Sequence, residues 1–214
     1  MITKNSYQYI VKRFFDILLS LFILIITSPL LLIISYLIFL DSPGEIIFKQ
    51  TRLGKGQSKF TIYKFRSMYS RKNEDIDQYN EPVLTSSKDK RITKIGGFIR
   101  STSIDELPQV FNILKGDMSF VGPRPVLIEQ LDAIPKKFFN RFEVLPGLSG
   151  LAQVNGRRGL DWIKQLQLDS NYSNNFNFLM DLVIVLKTIP IVLTSNKIYG
   201  SSKKNWRFYR DIEK

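Results

Sequence analysis

The sequence predicts an α+β protein attached to one face of a membrane. The expected parts are an N-terminal re-entrant helix-break-helix, interfacial amphipathic helices and a small cytoplasmic domain with a short β-hairpin. Three observations predict this class: an uncharged apolar run with a proline at its centre, basic residues on both sides of that run, and mixed strand and helix patterns beyond it. We divide the chain into a lead-in and membrane helix (1–40), a cytoplasmic domain (41–195) and a basic, aromatic tail (196–214).

The apolar run covers residues 17–40 and contains no charged side chain. As a helix rising ~1.5 Å per residue it would be about 36 Å long, enough to cross a bilayer core of ~30 Å. Ser28 and Pro29 lie at its centre. Proline removes one helical hydrogen bond and clashes with the preceding turn, so the helix should break or bend there. The Ser28 hydroxyl can bond a carbonyl that the bend frees.

The charges on either side of the run favour a return to the same face. Because Lys and Arg mark the cytoplasmic end of a membrane segment, a single crossing would leave one basic cluster on the wrong side. An ordinary spanning helix with a tolerated proline is the alternative. Residues 1–16 form either an amphipathic lead-in or a plain extension of the helix. The flanking basic residues are Lys4, Lys12 and Arg13 before the run and Lys49, Arg52, Lys55, Lys59, Lys64 and Arg66 after it.

Composition limits the chemistry of the rest of the chain. About 170 residues outside the run suffice for one modest domain. A net charge of +12 suits anionic headgroups or phosphorylated substrates. The absence of cysteine excludes disulfides and thiolate chemistry, and histidine is also absent. Catalysis would use Asp, Glu, Lys, Tyr or Ser, and a metal ion would be a hard cation such as Mg²⁺.

Two strand patterns follow the apolar run, at residues 46–50 and 60–65, and the polar segment between them predicts a β-hairpin. Lys64 and Arg66 flank Phe65 in the sequence YKFRSM. Alternate residues of a strand point to one face, so these two cations could hold a diphosphate. A solvated strand face is the alternative.

A helical pattern over residues 107–114, which Gly116 can end, follows two adjacent acids, Asp105 and Glu106. The start of this helix is open between a capping box formed by Ser103 with Glu106 and an N-cap formed by Asp105. Either start leaves both acids at a helix N-terminus, where the dipole favours carboxylates and attracts phosphate. An ionised Asp beside a Mg²⁺–phosphate centre is a candidate nucleophile. Two acids that merely cap a helix are the alternative.

Two arginines accompany the acids. Arg100 lies five residues before Asp105, and Arg124 lies between Pro123 and Pro125. Prolines on both sides restrict the backbone and present the guanidinium rigidly. Its planar fork suits bidentate phosphate contacts, although an arginine in a turn is often only a surface residue.

Glycine and small polar residues dominate residues 146–158, PGLSGLAQVNGRR. Such a segment can bring backbone N–H groups close to a phosphate. In an extended chain, Gln153, Asn155 and Arg157 would point the same way. These three residues are therefore further candidates for substrate binding.

The C-terminal part contains a second apolar stretch, residues 178–193, which includes Asp181, Lys187 and Pro190. We predict an amphipathic helix in the membrane interface or on the core, not a spanning helix. After it, the aromatic and cationic residues of the tail suit the lipid headgroup layer, and a loose tail is the alternative.

These motifs together resemble the bacterial sugar transferase family, the monotopic polyprenol-phosphate phosphoglycosyl transferases. The matching segments are YKFRSM, residues 91–125 and PGLSGLAQVNGR, and DELPQ followed by KGDMSFVGPRP is the most specific combination. The resemblance covers residues 12–188. It is closest to the small members of the family, which lack the extra N-terminal membrane domain of the larger ones. Leu145 is a departure, because the family often has a basic residue there.

The resemblance implies that a sugar-1-phosphate moves from a UDP-sugar to polyprenol phosphate, with release of UMP and with Mg²⁺. It implies that Asp105 is the nucleophile of a phosphosugar–enzyme intermediate and that Glu106 assists, through the metal or as a base. Both acids are thus candidate metal ligands. It further implies that Arg100 engages the polyprenol phosphate and that Arg124 and Arg157 lie near the nucleotide-sugar site.

The expected partners are a UDP-sugar, polyprenol phosphate and the lipid bilayer, with a homodimer as a further option. We expect no nucleic acid partner, since no zinc spacing, RNP-like motif or basic helical repeat is present. The expected location is the cytoplasmic face of the bacterial inner membrane. The competing hypothesis is a basic membrane-surface protein that binds anionic lipid or nucleic acid without catalysis. That hypothesis leaves the acids and arginines of residues 100–124 unexplained.

Overall fold

The computed structural model describes residues 4–71, 89–156, 159–194 and 205–212, and this part of the chain combines helices with two small sheets. The helices are α1 (Lys4–Asp41), α2 (Lys94–Ser101), α3 (Gln109–Lys115), α4 (Leu151–Val154), α5 (Trp162–Asn175), α6 (Phe178–Leu193) and α7 (Trp206–Ile212). The strands are β1 (Ile47–Leu53), β2 (Lys59–Phe65), β3 (Ser119–Val121) and β4 (Gly147–Ser149). Short 3₁₀ turns cover Lys55–Gln57, Ile104–Glu106, Ile128–Ala133 and Lys136–Phe142. The mixed helix and sheet class is confirmed.

Strands β1 and β2 form the predicted antiparallel hairpin, with Thr51 opposite Thr61. Asn112 of α3 lies beside β2 and is fully buried. Its side-chain amide donates to the Thr61 carbonyl at 2.7 Å and accepts from the Tyr63 N–H at 3.1 Å. A side chain therefore satisfies backbone groups that a third strand would otherwise pair. This contact fixes the hairpin against the helix that follows the acidic pair.

Strands β3 and β4 form a short parallel pair, which the sequence did not predict. The two backbones approach so closely that a Cβ on Gly147 would lie 2.1 Å from the nitrogen of Gly122. Only glycine tolerates that approach. The segment after β3 carries Arg124, so this pairing anchors the arginine to the domain.

Helix α1 runs without interruption in its secondary structure, and Pro29 lies inside it, so the predicted break into two helices is not seen. The plain-extension alternative for residues 1–16 is therefore correct from Lys4 onward. A bend at Pro29 stays a prediction. Pro29 has no N–H for the carbonyl of Ile25 four residues earlier. The Ser28 hydroxyl donates to that carbonyl at 2.9 Å, which is the hydrogen bond predicted for Ser28. Residues Gln8–Asp41 are long and apolar enough to cross a membrane, and only 11% of their most apolar stretch is buried.

The N-terminal part of α1 packs on the domain. The guanidinium of Arg13 donates to two carbonyls at the end of α3. One is that of Leu114, at 2.7 Å, and the other is that of Ile113. The Asp16 carboxylate accepts from the Phe120 N–H of β3 at 3.0 Å. Helix ends leave carbonyls without partners, so Arg13 caps α3.

The C-terminal end of α1 packs on the same domain. Ile38 is buried against Phe65 and Ile99. The Asp41 carboxylate accepts from the Ile95 N–H, in the first turn of α2, at 3.0 Å. Both ends of the apolar helix are thus fastened to the domain, while side chains between them, such as Ile25, are exposed.

The C-terminal helices differ in what they cover. Helix α6 exposes an apolar face that includes Phe178, Leu182 and Leu186, as the amphipathic pattern predicted. Helix α7, by contrast, packs Trp206 into the core at 6% exposure. The loose-tail alternative is therefore wrong for α7, because its indole has an apolar cluster to bury against. Placement of the tail in the headgroup layer stays a prediction.

Candidate active site

The two acids lie in the 3₁₀ turn between α2 and α3, not at an α-helical N-terminus. Ser103, just before the turn, has a left-handed backbone with φ of 59°, and its side chain forms no capping hydrogen bond. Helix α3 begins after Pro108. Both predicted starts, the Ser103–Glu106 capping box and the Asp105 N-cap, are therefore wrong. The left-handed residue turns the chain and presents the acids from a tight loop.

The left-handed conformation of Ser103 predicts the effect of two substitutions. An L-residue in this region is strained by ~1–2 kcal/mol, and glycine is not. We expect Ser103→Gly to stabilise the protein by roughly 0.5–1 kcal/mol and Ser103→Val to destabilise it by about 1–3 kcal/mol. Thermal unfolding in lipid nanodiscs measures both. If the glycine variant unfolded at a lower temperature than the valine variant, the inference of backbone strain at Ser103 would be wrong.

Glu106 is the centre of a charge cluster. Its Oε1 accepts from Lys64 Nζ at 2.6 Å and from Arg124 Nη2 at 2.8 Å. Burial acts to raise the pKa of Glu106, but Arg124 and Lys64 outweigh it and hold the pKa well below its usual range. Burial lowers the pKa of Lys64 against the opposing effect of Glu106. Glu106 is therefore a fixed anion that gathers cations from β2 and from the segment after β3.

Asp105 differs sharply from its neighbour. Burial, and then the charge of Glu106, raise the pKa of Asp105 against the opposing effect of Lys64, Arg100 and Arg124. Within the described ranges, its carboxylate forms no hydrogen bond or ion pair. Two adjacent acids whose pKa values are pushed apart are suited to different roles in catalysis. Asp105 keeps its lone pairs available, whereas Glu106 uses an oxygen to bind cations.

Arg100 lies in the last turn of α2, close enough to influence Asp105 electrostatically. Its Nη1 is 3.3 Å from the Ser67 hydroxyl, and its buried Nε has no hydrogen-bond partner in the part of the chain that the structure describes. A guanidinium has five N–H donors. Arg100 therefore retains donors that an anionic ligand could take up.

The structure does not bring Arg66 to this cluster. Arg66 follows the end of β2, is 5% exposed and donates to the carbonyls at the end of α1, including that of Ser42 at 2.7 Å. The predicted pair of cations on one strand face is therefore not formed, and Lys64 alone reaches the acids. The carbonyls at the helix C-terminus lack donors, which a buried guanidinium supplies.

The predicted row of Gln153, Asn155 and Arg157 is also not extended. Residues 151–154 form α4, so Gln153 and Asn155 do not point the same way. Asn155 is exposed and donates to the Leu151 carbonyl at 2.7 Å. The Gln153 amide is buried and has no hydrogen bond in the described chain. Arg157 lies outside the described residues.

A buried ion pair behind Arg124 was missed from the sequence. Arg141 Nη2 donates to the Arg124 carbonyl and to Asp169 Oδ2, both at 2.8 Å. Burial raises the pKa of Asp169 against the opposing effect of Arg141. One signal could have found it: Asp169 is three residues from Leu166 and from Tyr172, on the buried face of α5.

The acids also fit a hard divalent cation. Lys64 and Arg124 both bind Oε1 of Glu106, which leaves Oε2 and the carboxylate of the adjacent Asp105 as oxygens that a cation could bind. Among the described residues, no three Asp or Glu side chains lie close enough together to hold a metal ion on their own. Mg²⁺ commonly binds one or two carboxylates together with substrate phosphate and water. The residues present therefore fit Mg²⁺ together with a bound phosphate.

Comparison with known proteins gives a consistent result. A sequence model described as bacterial sugar transferase matches residues 7–195. The uncharacterized sugar transferase EpsL of Bacillus subtilis is 41% identical over 88% of this chain and 90% of its own length. The undecaprenyl-phosphate galactose phosphotransferase of Salmonella typhimurium is 38% identical over 92% of this chain but 43% of its own length. In Caulobacter vibrioides, a UDP-glucose:undecaprenyl-phosphate glucose-1-phosphate transferase is 39% identical over 88% of this chain and 72% of its own length.

Proposed function

This chain belongs to the bacterial sugar transferase family, and from that membership we propose that it transfers a sugar-1-phosphate from a UDP-sugar to polyprenol phosphate. The products would be a polyprenol-diphosphate-sugar and UMP. Similarity to relatives that act on undecaprenyl phosphate supports this acceptor. The observation that carries the mechanism is the contrast between Asp105, with free lone pairs, and Glu106, which holds two cations.

We propose two displacements at phosphorus. In the first, an Asp105 carboxylate oxygen attacks the phosphorus that bears the sugar, the bond to the bridging diphosphate oxygen breaks, and UMP leaves with that oxygen. In the second, an oxygen of polyprenol phosphate attacks the same phosphorus, and the Asp105 carboxylate is released unchanged. Each substrate can then use one site in turn. The raised pKa of Asp105 supports this role, because a more basic carboxylate is a better nucleophile once ionised.

Glu106 and the cations would stabilise charge. A pKa held well below the usual range makes Glu106 a poor base, so we propose that it holds Lys64 and Arg124 against the donor diphosphate. Such cations offset the charge that develops as UMP leaves. Asp105 and Glu106 would hold Mg²⁺, which would neutralise phosphate charge when bound. Arg100, with donors to spare beside Asp105, would engage the acceptor phosphate.

We propose a re-entrant α1 at the cytoplasmic face of the inner membrane. Three features support this arrangement: both ends of α1 contact one domain, Ser28 and Pro29 lie between them, and α6 exposes an apolar face. The acceptor phosphate would then lie at the lipid surface, where a water-soluble donor can also arrive. An active site at that boundary needs neither substrate to cross the bilayer.

Release of UMP tests this function. Purified protein in nanodiscs would be incubated with polyprenol phosphate and a panel of UDP-sugars, and UMP and the lipid product would be measured. We expect equal amounts of both with at least one donor. If no UDP-sugar yields UMP while the protein still binds anionic vesicles, the non-catalytic hypothesis of a basic membrane-surface protein is favoured.

The pKa of Asp105 predicts a pH dependence for the first displacement. The carboxylate must be ionised to attack, so the rate falls as pH falls through the raised pKa. The rate should therefore begin to fall at a pH above the usual aspartate pKa of about 3.9. On this acid limb, the logarithm of the rate should change with pH with a slope near one. Single-turnover UMP release measures it. A rate that stays constant down to pH ~4, in protein shown to remain folded, would contradict the assignment.

A further inference from the structure

The segment around Arg124 is held by its carbonyl groups. Pro123 and Pro125 have no N–H, so this part of the backbone has few donors of its own. The Pro123 carbonyl accepts from the Gly147 N–H at 2.9 Å, and the Arg124 carbonyl accepts from Arg141 Nη2 at 2.8 Å. The carbonyl of Arg124 itself is therefore fixed by a charged side chain.

The use of a buried arginine as the donor lowers the free energy of unfolding. Arg141 lies in the turn Lys136–Phe142, and its side chain is 3% exposed, while the Asp169 side chain that balances its charge is 6% exposed. Removal of two charges from water is unfavourable, and apolar replacements of a buried ion pair are often more stable. Apolar residues in place of the pair would, however, leave the Arg124 carbonyl without this donor. The pair is thus better explained by positioning than by stability.

The Arg124 side chain needs such positioning. It is 39% exposed, and its guanidinium bonds Glu106 on the edge of the site. A long, partly exposed side chain has many rotamers, so its reach depends on where its backbone is held. We propose that Arg141 and Asp169 are positioning residues that set the reach of Arg124 towards Glu106 and the donor diphosphate. This inference rests on the function proposed above.

A double-mutant cycle tests the proposal. Arg141→Gln, Arg124→Ala and the double variant would be compared in kcat and KM for the UDP-sugar. Arg124→Ala keeps the backbone carbonyl that Arg141 bonds, so the contact survives while the guanidinium is lost. We expect Arg141→Gln to lower kcat/KM about tenfold in the native background and less than twofold in the Arg124→Ala background.

A matched control separates positioning from general destabilisation. Lys12 and Asp181 form another short ion pair, at 2.5 Å, which links α1 to α6. Lys12→Gln should change kcat/KM by the same factor in both backgrounds. If Arg141→Gln does not fold, Asp169→Asn serves instead, because it keeps the side-chain volume and should show the same dependence on Arg124. Arg141→Lys, which keeps a charged donor, should recover kcat/KM to within about threefold of the native value.

The outcomes are distinct. Equal losses from Arg141→Gln in both backgrounds would overturn the positioning role and leave the proposed function standing. Full activity of Arg124→Ala would overturn the role of Arg124 and the inference with it. Absence of UMP release by the native protein would overturn the proposed function itself.

Discussion

Asp105→Asn is expected to lower UMP formation by about 10⁴-fold or more, the scale typical for loss of a covalent nucleophile. Asparagine keeps the shape of the side chain but lacks the carboxylate oxygen that would bond phosphorus. The measurement is single-turnover UMP release from a UDP-sugar alone. Mass spectrometry of the intact native protein should detect a sugar-phosphate adduct, and the variant should show none.

The matched control for this variant is Asp117→Asn. Asp117 follows the other end of α3, where it pairs with the exposed Lys115 and accepts from Asn112 at 3.4 Å. Asparagine keeps an oxygen that can accept from Asn112, so turnover should be unchanged. The unfolding temperature of Asp105→Asn checks whether this variant still folds, and the direction of its change can be predicted. Since burial raises the pKa of Asp105 in the folded protein, its ionised form destabilises the fold above that pKa, and Asp105→Asn should not lower the unfolding temperature at neutral pH. Substantial turnover by Asp105→Asn would rule out the nucleophile assignment.

Glu106→Gln is expected to lower turnover by about 10²–10³-fold. The loss of the shared anion leaves Lys64 and Arg124 without the oxygen that positions both. We also expect a loss of stability of about 2 kcal/mol, less than for a fully buried pair because Arg124 is partly exposed. Turnover and thermal unfolding in nanodiscs measure the two effects.

The pH profile of this variant separates an electrostatic role from general-base catalysis. The negative charge of Glu106 raises the pKa of Asp105, so its removal should move the acid limb to lower pH. A limb that does not move, or moves to higher pH, contradicts the electrostatic role. Glu45→Gln is the control. Among the residues that the structure describes, Glu45 forms only an exposed pair with Lys49, so this variant should change neither turnover nor the acid limb.

Features that depend on neighbouring residues could be predicted from the sequence. The hairpin follows from alternation and a polar turn, and α3 ends where Gly116 takes a left-handed conformation. The Ser28 hydroxyl bonds the carbonyl of Ile25, which lies four residues before Pro29 and lacks the N–H that a residue other than proline would supply. The acidic pair could be found for a similar reason, because two adjacent carboxylates, with Arg100 five residues before Asp105, form a local pattern.

Features that depend on distant contacts could not be predicted. Arg66 looked like a phosphate ligand, but the unpaired carbonyls of α1 bind it instead. The burial of Trp206 depends on a cluster that forms only in the folded domain. The left-handed turn at Ser103 has no signal in residue type, since serine is not a residue that favours this conformation. Local pattern therefore located the acids but not the way the fold presents them.

The attachment of α1 at both ends ties this helix to the acidic turn. Its Arg13 caps the helix that leaves the acidic turn, and its Asp41 bonds the first turn of the helix that enters it. The apolar helix is thereby part of the scaffold that positions the acidic turn, in addition to any role in membrane attachment. A water-soluble fragment that lacks α1 would lose the contacts that hold the helices on either side of the acidic turn.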